Sequence, residues 1–190
     1  MNMDINNIKK YLNESLRVAE MQLEMVDGFL DIAELVKEKM EKGGTLFFCG
    51  NGGSAADSQH LAAELVGRFK KNRKALRSIA LTTDSSIITS NANDIGYENV
   101  FARQLEALGS SGDVLIAIST SGESPSIIKA VSEANKIGLS TVAFTKKGKN
   151  SLNDLAHYSI DVPSSETGVI QQSHITFGQL LCYYLEENLS

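Results

Sequence analysis

The chain lacks tryptophan and contains only two cysteines and two prolines among its 190 residues. Cys49 and Cys182 lie in apolar segments and form no C-x-x-C pattern, which argues against a cysteine metal site or a redox pair. No apolar run approaches the ~18 residues of a membrane-spanning helix. The first ten residues are polar and lack the apolar core of a signal peptide. These absences predict a cytoplasmic protein with no membrane partner.

Positive charge is also scarce, because 18 Lys and Arg residues stand against 23 Asp and Glu residues, giving a net charge of -5. Nucleic-acid binding usually needs a basic face, so we expect no nucleic-acid partner. The basic run at residues 68–77 is typical of a solvated loop. Its alternative interpretation is added positive potential beside an anionic ligand or a partner subunit. The length and the 42% hydrophobic content predict one domain over residues 1–190.

Strand-like and helix-like segments alternate from residue 43 onward. The predicted strands are residues 45–49, 77–81, 114–118, 140–144 and 158–162, and the predicted helices are 54–69, 85–93, 98–108, 125–137 and 168–188. This alternation is typical of βαβ units. It predicts an α/β core at 43–190, built on a five-stranded parallel sheet with helices on both faces.

The first 42 residues predict a pair of helices ahead of that core. Apolar residues recur there at spacings of three and four, with a break near Asp27-Gly28: Ile5, Ile8, Leu12, Leu16, Ala19 and Leu23, then Phe29, Ile32, Ala33, Val36 and Met40. Two roles remain open for the pair. The helices either cover one face of the core or supply an interface with another subunit.

Two small polar turns each follow a predicted strand and precede a predicted helix. They are Gly50-Asn51-Gly52-Gly53-Ser54, the glycine turn, and Ser119-Thr120-Ser121-Gly122-Glu123-Ser124, the hydroxyl turn. Unpaired N–H groups at a helix start attract anions, glycine permits close approach, and hydroxyls add donors. Both turns lie at carboxyl ends of strands, where open parallel sheets bind ligands. We therefore predict a cleft for a phosphorylated small molecule. The alternative is helix capping, for which Ser54 and the serines of the hydroxyl turn are well suited.

Polar residues on two predicted helices are further candidates. His60 and Glu64, four residues apart, share one helix face and can bind a metal or act as a base and its neighbour, although such pairs also occur on solvated faces. The last helix places Gln171, Gln172, His174 and Gln179 among apolar residues, where polar groups need partners. We interpret His174 as a hydrogen-bonded structural histidine.

These segments together resemble the phosphoheptose isomerases of the sugar isomerase (SIS) fold. The likeness covers residues 48–60, 63–69, 80–86, 93–97, 100–104 and 112–122 and the pattern Ile170-Gln171-x-x-His174, in order along nearly the whole chain. It implies a doubly wound, flavodoxin-like architecture and conversion of sedoheptulose 7-phosphate to D-glycero-D-manno-heptose 7-phosphate. That product is a precursor of bacterial surface heptose in lipopolysaccharide and capsule. The resemblance also implies one zinc ion per subunit and a homotetramer with active sites at subunit boundaries.

The resemblance assigns roles to individual residues. Those implied to bind substrate are Asn51, Gly52, Gly53, Ser54, Glu64, Asn93, Asp94 and Gln171, with Ser119, Thr120, Ser121 and Ser124 around the phosphate. Those implied to bind zinc are His60, Glu64, Gln171 and Gln179, and Glu64 is also the general base. The chemistry suits these residue types. Moving a proton between C1 and C2 passes through an enediolate, so a carboxylate must carry the proton while a metal or donor stabilises the oxyanion.

Gln179 departs from the family pattern, in which a second histidine follows His174 by five residues as zinc ligand and general acid. Glutamine does not titrate near neutral pH, although its carbonyl oxygen can still bind a metal. General acid–base groups contribute roughly 10²–10⁴ in rate. The sequence therefore predicts an isomerase whose activity Gln179 reduces. The alternatives are a non-catalytic SIS protein that binds a phosphosugar or acts as an adaptor, and an isomerase for a different phosphosugar.

Overall fold

Residues 4–189 of the chain are described here from a computed structural model. The predicted helical segment 1–42 and the predicted domain 1–190 include residues 1–3 and 190, which lie outside the described residues. The helices are α1 (Ile5–Met21), α2 (Val26–Glu41), α3 (Gly53–Val66), α4 (Ser85–Ile95), α5 (Ala102–Leu108), α6 (Pro125–Ile137), α7 (Ser151–Leu155) and α8 (Thr167–Asn188). The strands are β1 (Leu46–Gly50), β2 (Ser78–Ala80), β3 (Val114–Ile118), β4 (Ser140–Lys146) and β5 (Tyr158–Val162).

The five strands form one parallel sheet in the order β2-β1-β3-β4-β5. This is the doubly wound order in which the sheet grows in opposite directions from β1 and β3. All five residues of β1 and of β3 are buried, as expected for parallel strands covered on both faces. The predicted α/β architecture with a five-stranded parallel sheet is therefore confirmed.

Side chains of β1, β3 and β4 alternate between two hydrophobic cores. Leu46 and Phe48 of β1 pack in one core with residues of α2, α3 and α8. Phe47 and Cys49 pack in the other core with residues of α5, α6 and α7. The sheet therefore fixes the ends of β1 and β3 rigidly between two helical layers, and the loops at those ends can be positioned accurately.

Several predicted helix bounds differ from the structure. Gly96, with φ of +91°, ends α4, and a 3₁₀ turn at Tyr97–Asn99 precedes α5, so the single helix predicted at 98–108 is interrupted. The helix predicted at 54–69 ends at Val66, before the basic run. The five-residue helix α7 was not predicted, because so short a segment leaves little periodicity to detect.

The N-terminal pair of helices is confirmed, but the predicted break near Asp27-Gly28 is wrong. The chain tightens into a 3₁₀ turn at Gln22–Met25, and Gly28 lies inside α2. This placement lets the Gln22 amide donate to Ser173 Oγ at 2.9 Å and brings Met25 against the main core. Contacts with α8, which lie far away in sequence, decide where the helix breaks.

The apolar stripe of α1 lies largely on the surface of the single chain. Val18 is buried against β5 and α8, but Leu12 is 55% exposed and Leu16 is 65% exposed. Ile5, Ile8, Ala19 and Leu23 are exposed as well. Within one subunit, α1 therefore covers only a small part of the core with one face and presents its main apolar stripe to the outside.

The basic run at residues 68–77 forms a loop, and one of its cations is buried. Glu186 of α8 accepts hydrogen bonds from the backbone N–H groups of residues 69, 70 and 71 and lies 3.2 Å from Arg73 Nε. The side chains of Arg73 and Glu186 are 1% and 0% exposed. Burial opposes ionisation of Glu186, but these donors outweigh it and lower the pKa of the carboxyl group. The interpretation as a solvated loop is therefore correct for the exposed cations Arg68, Lys70, Lys71, Lys74 and Arg77 but wrong for Arg73.

Candidate active site

The two polar turns meet at the point where the strand order reverses. Gly50, the last residue of β1, pairs with Ile118, the last residue of β3, so both turns leave the same edge of the sheet. The Asn51 amide nitrogen donates to Ser124 Oγ at 3.1 Å and to Ser126 Oγ at 2.9 Å. Sequence could not show that β1 and β3 are neighbours. The structure joins the two turns directly through one side chain.

The hydroxyl turn folds around its own backbone donors. Ser119 Oγ accepts from the backbone N–H of Gly122, and Ser121 Oγ accepts from the backbone N–H of Glu123, both at 3.2 Å. Ser124 occupies the N-cap position of α6, but its side chain makes no capping hydrogen bond. Its oxygen accepts from Asn51 instead. Ser124 is therefore directed toward the cleft rather than used to cap its helix.

The helix α3 begins two residues earlier than it would if Ser54 were its N-cap. Gly52, with φ of +56°, is the N-cap residue, and α3 starts at Gly53. The expectation that Ser54 caps the helix is wrong, because this left-handed glycine places Ser54 inside the first turn, where it is 6% exposed. A Cβ atom on Gly53 would overlap the side-chain amide of Gln171. Glycine at position 53 thus lets the Gln171 side chain of α8 lie directly over the turn.

His60, Glu64 and Gln179 converge where α3 packs against α8. His60 Nε2 lies 3.2 Å from Glu64 Oε1 and 3.5 Å from Gln179 Nε2. His60 and Glu64 project from α3, and Gln179 projects from α8. The two helices pack closely at Gly178, where a Cβ atom would overlap the Leu61 side chain. The structure thus brings three of the four implied metal ligands together. Gln171 lies about two turns earlier on α8, over Gly53.

Asp57 was missed in the sequence and lies on the same face of α3. It is 9% exposed, and its carboxyl group contacts the Gln171 side chain. Burial raises the pKa of Asp57, against the opposing effects of Gln171 and His60. Its Oδ2 atom has no hydrogen-bond partner among residues 4–189. The spacing of Gly53, Asp57, His60 and Glu64 on one helical face was the available signal.

Asn93 and Asp94 lie at the end of α4 and are exposed. Asn93 Nδ2 donates to Asp94 Oδ1 at 2.7 Å. Within residues 4–189, neither side chain forms a hydrogen bond with the two turns. Tyr97, three residues later, does reach the cleft, where its hydroxyl donates to Asn51 Oδ1 at 2.8 Å. The resemblance included Tyr97 in the segment 93–97 but gave it no role, because the distance between it and Asn51 depends on how α4 packs.

An open cavity of about 660 Å³ lies beside the hydroxyl turn. Thr120 and Ser121 line it together with Lys146, Lys147 and Ile170. Lys146 is the last residue of β4 and Lys147 follows it, next to the turn that comes after β3. They supply positive charge next to the hydroxyls, in an otherwise acidic chain, where an anionic ligand would benefit from it.

The buried histidine and cysteines are structural. His174 is fully buried, and its Nε2 donates to the Thr145 carbonyl oxygen at 3.2 Å. Burial lowers the pKa of His174 to about 4, so the ring is neutral at pH 7. Cys49 and Cys182 are free and buried, and burial raises the pKa of both thiols to about 12. The predicted structural role of His174 is confirmed.

The side chains around His60 fit a divalent cation, although with few strong ligands. Catalytic zinc is usually held by three side chains from His, Asp, Glu and Cys, and residues 4–189 contain no cluster of three such groups. His60 and Glu64 supply an imidazole and a carboxylate at a separation that suits one ion. Gln179 and Gln171 can add amide oxygens, and the partnerless Oδ2 of Asp57 leaves negative charge nearby. Amide oxygens are weaker zinc ligands than imidazole.

The chain is similar to proteins that are named phosphoheptose isomerases. A family model described as SIS domain matches residues 10–146. A phosphoheptose isomerase of Aquifex aeolicus is 46% identical over 187 residues, which cover 96% of each chain. The structure of a phosphoheptose isomerase from Neisseria gonorrhoeae has a TM-score of 0.89 at 35% identity and covers 96% of this chain and 98% of its own. One from Francisella tularensis has a TM-score of 0.91 at 30% identity and covers 98% and 100%.

Proposed function

The chain belongs to the SIS-domain family, and from this premise we propose that it is an aldose–ketose isomerase that converts sedoheptulose 7-phosphate to D-glycero-D-manno-heptose 7-phosphate. The observation that carries the proposal is the direct joining of the two turns by Asn51 and Ser124, with Glu64 on the helix that follows the first turn. This arrangement combines an anion site with a carboxylate near the sugar. We assign the product to the synthesis of bacterial surface heptose, in lipopolysaccharide or capsule.

The hydroxyl turn binds the phosphate in this proposal. The hydroxyls of Ser119, Thr120, Ser121 and Ser124 and the N–H groups at the start of α6 act as donors. Lys146 and Lys147 raise the local positive potential. The glycine turn and Gln171 lie beneath the sugar, because the space at the Cβ position of Gly52 is open and Gly53 leaves room for the Gln171 amide. Asn93 and Asp94 contact the sugar from the end of α4.

Glu64 carries the proton between C1 and C2. Its carboxylate removes the proton from one carbon of the bound sugar phosphate and returns it to the other, through an enediolate. His60, at 3.2 Å from Glu64 Oε1, holds the carboxylate in place. A zinc ion held by His60, Glu64, Gln171 and Gln179 would stabilise negative charge on the substrate oxygens. Gln179 cannot act as a general acid. We therefore expect proton transfer to the substrate oxygen to be the slow step of the reaction.

An isomerase assay beside the Gln179→His variant tests the proposal. We expect slow turnover of sedoheptulose 7-phosphate by the natural chain and a rise of roughly 10²-fold or more in the variant, which regains an acid. Metal analysis of the purified proteins should show more zinc per subunit in Gln179→His, since imidazole replaces an amide. Glu64→Gln, as the matched control, should be inactive. The proposal fails if both the natural chain and Gln179→His bind zinc and neither isomerises the substrate.

A non-catalytic role is the second candidate, and Gln179 is the observation that favours it. A protein that only senses a phosphosugar or serves as an adaptor needs the hydroxyl turn but no acid. It would bind sedoheptulose 7-phosphate without turnover in both forms. The presence of Glu64, Asn93 and Asp94 favours the enzyme, because an adaptor does not require them. Activity on a different phosphosugar would appear as turnover in a substrate panel.

We also propose that the chain forms a homotetramer in which α1 contributes to the interface. The exposed stripe of α1 supports this, because isolated apolar side chains are normal on a surface but a row of them along one helix marks a contact.

No helix within residues 4–189 is long and apolar enough to cross a membrane. We propose a cytoplasmic location, which the two free, buried cysteines support. The net charge of -5 supports the absence of a nucleic-acid partner.

A further inference from the structure

Three segments of the chain meet through a short series of hydrogen bonds at the cleft. Tyr97 Oη donates to Asn51 Oδ1 at 2.8 Å. The Asn51 Nδ2 group then donates to Ser124 Oγ at 3.1 Å and to Ser126 Oγ at 2.9 Å. The series thus runs from the 3₁₀ turn after α4, through the glycine turn, to the start of α6.

The direction of these bonds matters for an anion. An asparagine amide has one accepting side and one donating side. Because Tyr97 donates to the oxygen, the nitrogen must face the serines. Ser124 Oγ therefore accepts from Asn51, and its own O–H proton is left to point elsewhere. Hydrogen bonds in a series polarise one another, so a hydroxyl that accepts also becomes a better donor.

The segment that carries Tyr97 is anchored independently of that bond. Lys129 of α6 contacts Asn99 Oδ1 at 3.0 Å and Glu98 Oε1 at 3.4 Å. Gly96, at φ +91°, turns the chain so that Tyr97 faces the cleft. The tyrosine ring is 51% exposed, so it contributes little to the hydrophobic core. The contact of this side chain with the cleft is the hydrogen bond from its hydroxyl to Asn51.

We propose that Tyr97 is a positioning residue for phosphate binding, which acts by holding the Asn51 amide in the orientation that leaves the Ser124 proton free for the substrate. Without the tyrosine hydroxyl, the amide can rotate and present its oxygen to Ser124. The serine would then donate to Asn51 and not to the phosphate. This inference rests on the proposed function, since it assumes that the hydroxyl turn binds the phosphate.

The Tyr97→Phe variant tests the inference. We expect KM for sedoheptulose 7-phosphate and Kd for inorganic phosphate, measured by calorimetry, to rise about 3- to 10-fold, the effect of one hydrogen bond. We expect kcat to change less than about twofold, because Glu64 is untouched. Tyr158→Phe is the matched control, since Tyr158 is a comparably exposed tyrosine at the start of β5, the opposite end of the sheet. It should leave both constants unchanged.

A double variant separates a positioning role from a structural one. In the Ser124→Ala background the hydroxyl that Asn51 directs toward the phosphate is gone, although Ser126 remains, so adding Tyr97→Phe should have no further effect on KM. The inference alone would be overturned if Tyr97→Phe raised KM as much in the Ser124→Ala background as in the natural chain. It would also be overturned if the natural chain were active and Tyr97→Phe had the same KM and the same Kd for phosphate. A natural chain that neither isomerises the sugar nor binds phosphate would overturn the proposed function as well.

Discussion

At the scale of single residues, burial decides which polar groups belong to the site and which belong to the scaffold. His60 and His174 both lie in helices with polar neighbours. His60 faces Glu64 at the surface, whereas His174 is buried and hydrogen-bonded to the Thr145 carbonyl oxygen of β4. Glu64 and Glu186 differ in the same way, because Glu186 holds the backbone of the basic loop. Residue type alone does not distinguish the members of either pair.

The burial of His174 predicts a loss of stability in acid. Its pKa is lowered from 6.5 to about 4 in the folded chain, so the unfolded chain binds a proton first as the pH falls. Stability from this group is complete above the unfolded value and is lost progressively toward the folded one. Between about pH 7 and about pH 5 the free energy of unfolding should fall by about 2 kcal/mol on this account.

Urea unfolding of the natural chain and His174→Gln at the two pH values measures this contribution. The glutamine amide can still donate to the Thr145 carbonyl oxygen but does not titrate. The variant should therefore show a smaller loss between the two conditions, by about 2 kcal/mol. Equal losses in both proteins would contradict the assignment of the acid sensitivity to His174.

At the scale of elements, the contact between α3 and α8 is what assembles the site. Both helices pack on the same side of the sheet, and their close approach depends on Gly178, which faces Leu61. Cys182 Sγ also contacts the Leu61 carbonyl oxygen at 3.7 Å. The distances from His60 to Gln179, and from Gly53 to Gln171, follow from this packing.

A Gly178→Ala substitution should therefore be destabilising, although alanine favours helices. Its Cβ would overlap both Leu61 methyl groups, and overpacking of this kind costs about 1–3 kcal/mol. Gly28→Ala in α2 is the matched control, since nothing lies within 4 Å of its Cβ position. That change should stabilise the chain by up to about 1 kcal/mol, through lower entropy of the unfolded state. Thermal unfolding of both variants checks the opposite signs, and a stable Gly178→Ala chain would contradict the close packing.

At the scale of the whole molecule, the surface of one subunit predicts its assembly. Replacing Leu12 and Leu16 together by Glu places charges in the stripe of α1 that we assign to the interface. Light scattering after size exclusion should show a tetramer for the natural chain and a smaller species for this variant. Because both residues are more than half exposed in the single chain, the helical content should not change.

Leu155→Glu, at the end of α7, is the control for that experiment, because Leu155 is 38% exposed and lies away from α1. It should leave the mass of the assembly unchanged. A natural chain that runs as a monomer, or a double variant that remains tetrameric, would contradict the role of α1.

The sequence by itself determined the class of fold and predicted the chemistry of the site. Alternating segments predicted the parallel sheet. The predicted bounds of β3, β5 and α6 were correct to the residue. Those of α6 could be recognised because Pro125 marks its start and Gly138 its end. The two turns were recognisable because glycine and hydroxyl residues there follow directly after buried strands. The roles of the site residues remain predictions. The structure does bring the two turns together and places His60 beside Glu64 and Gln179.

Only the tertiary structure decided which of these residues touch. The bond from Asn51 to Ser124 exists because β1 and β3 are neighbours, and strand order is not written in local periodicity. The contacts of Tyr97 with Asn51 and of Asp57 with Gln171 join residues from separate elements. Local patterns reflect the preferences of short segments, whereas contacts across the fold depend on how buried faces pack. That is why the sequence identified the turns while the structure revealed what holds them together.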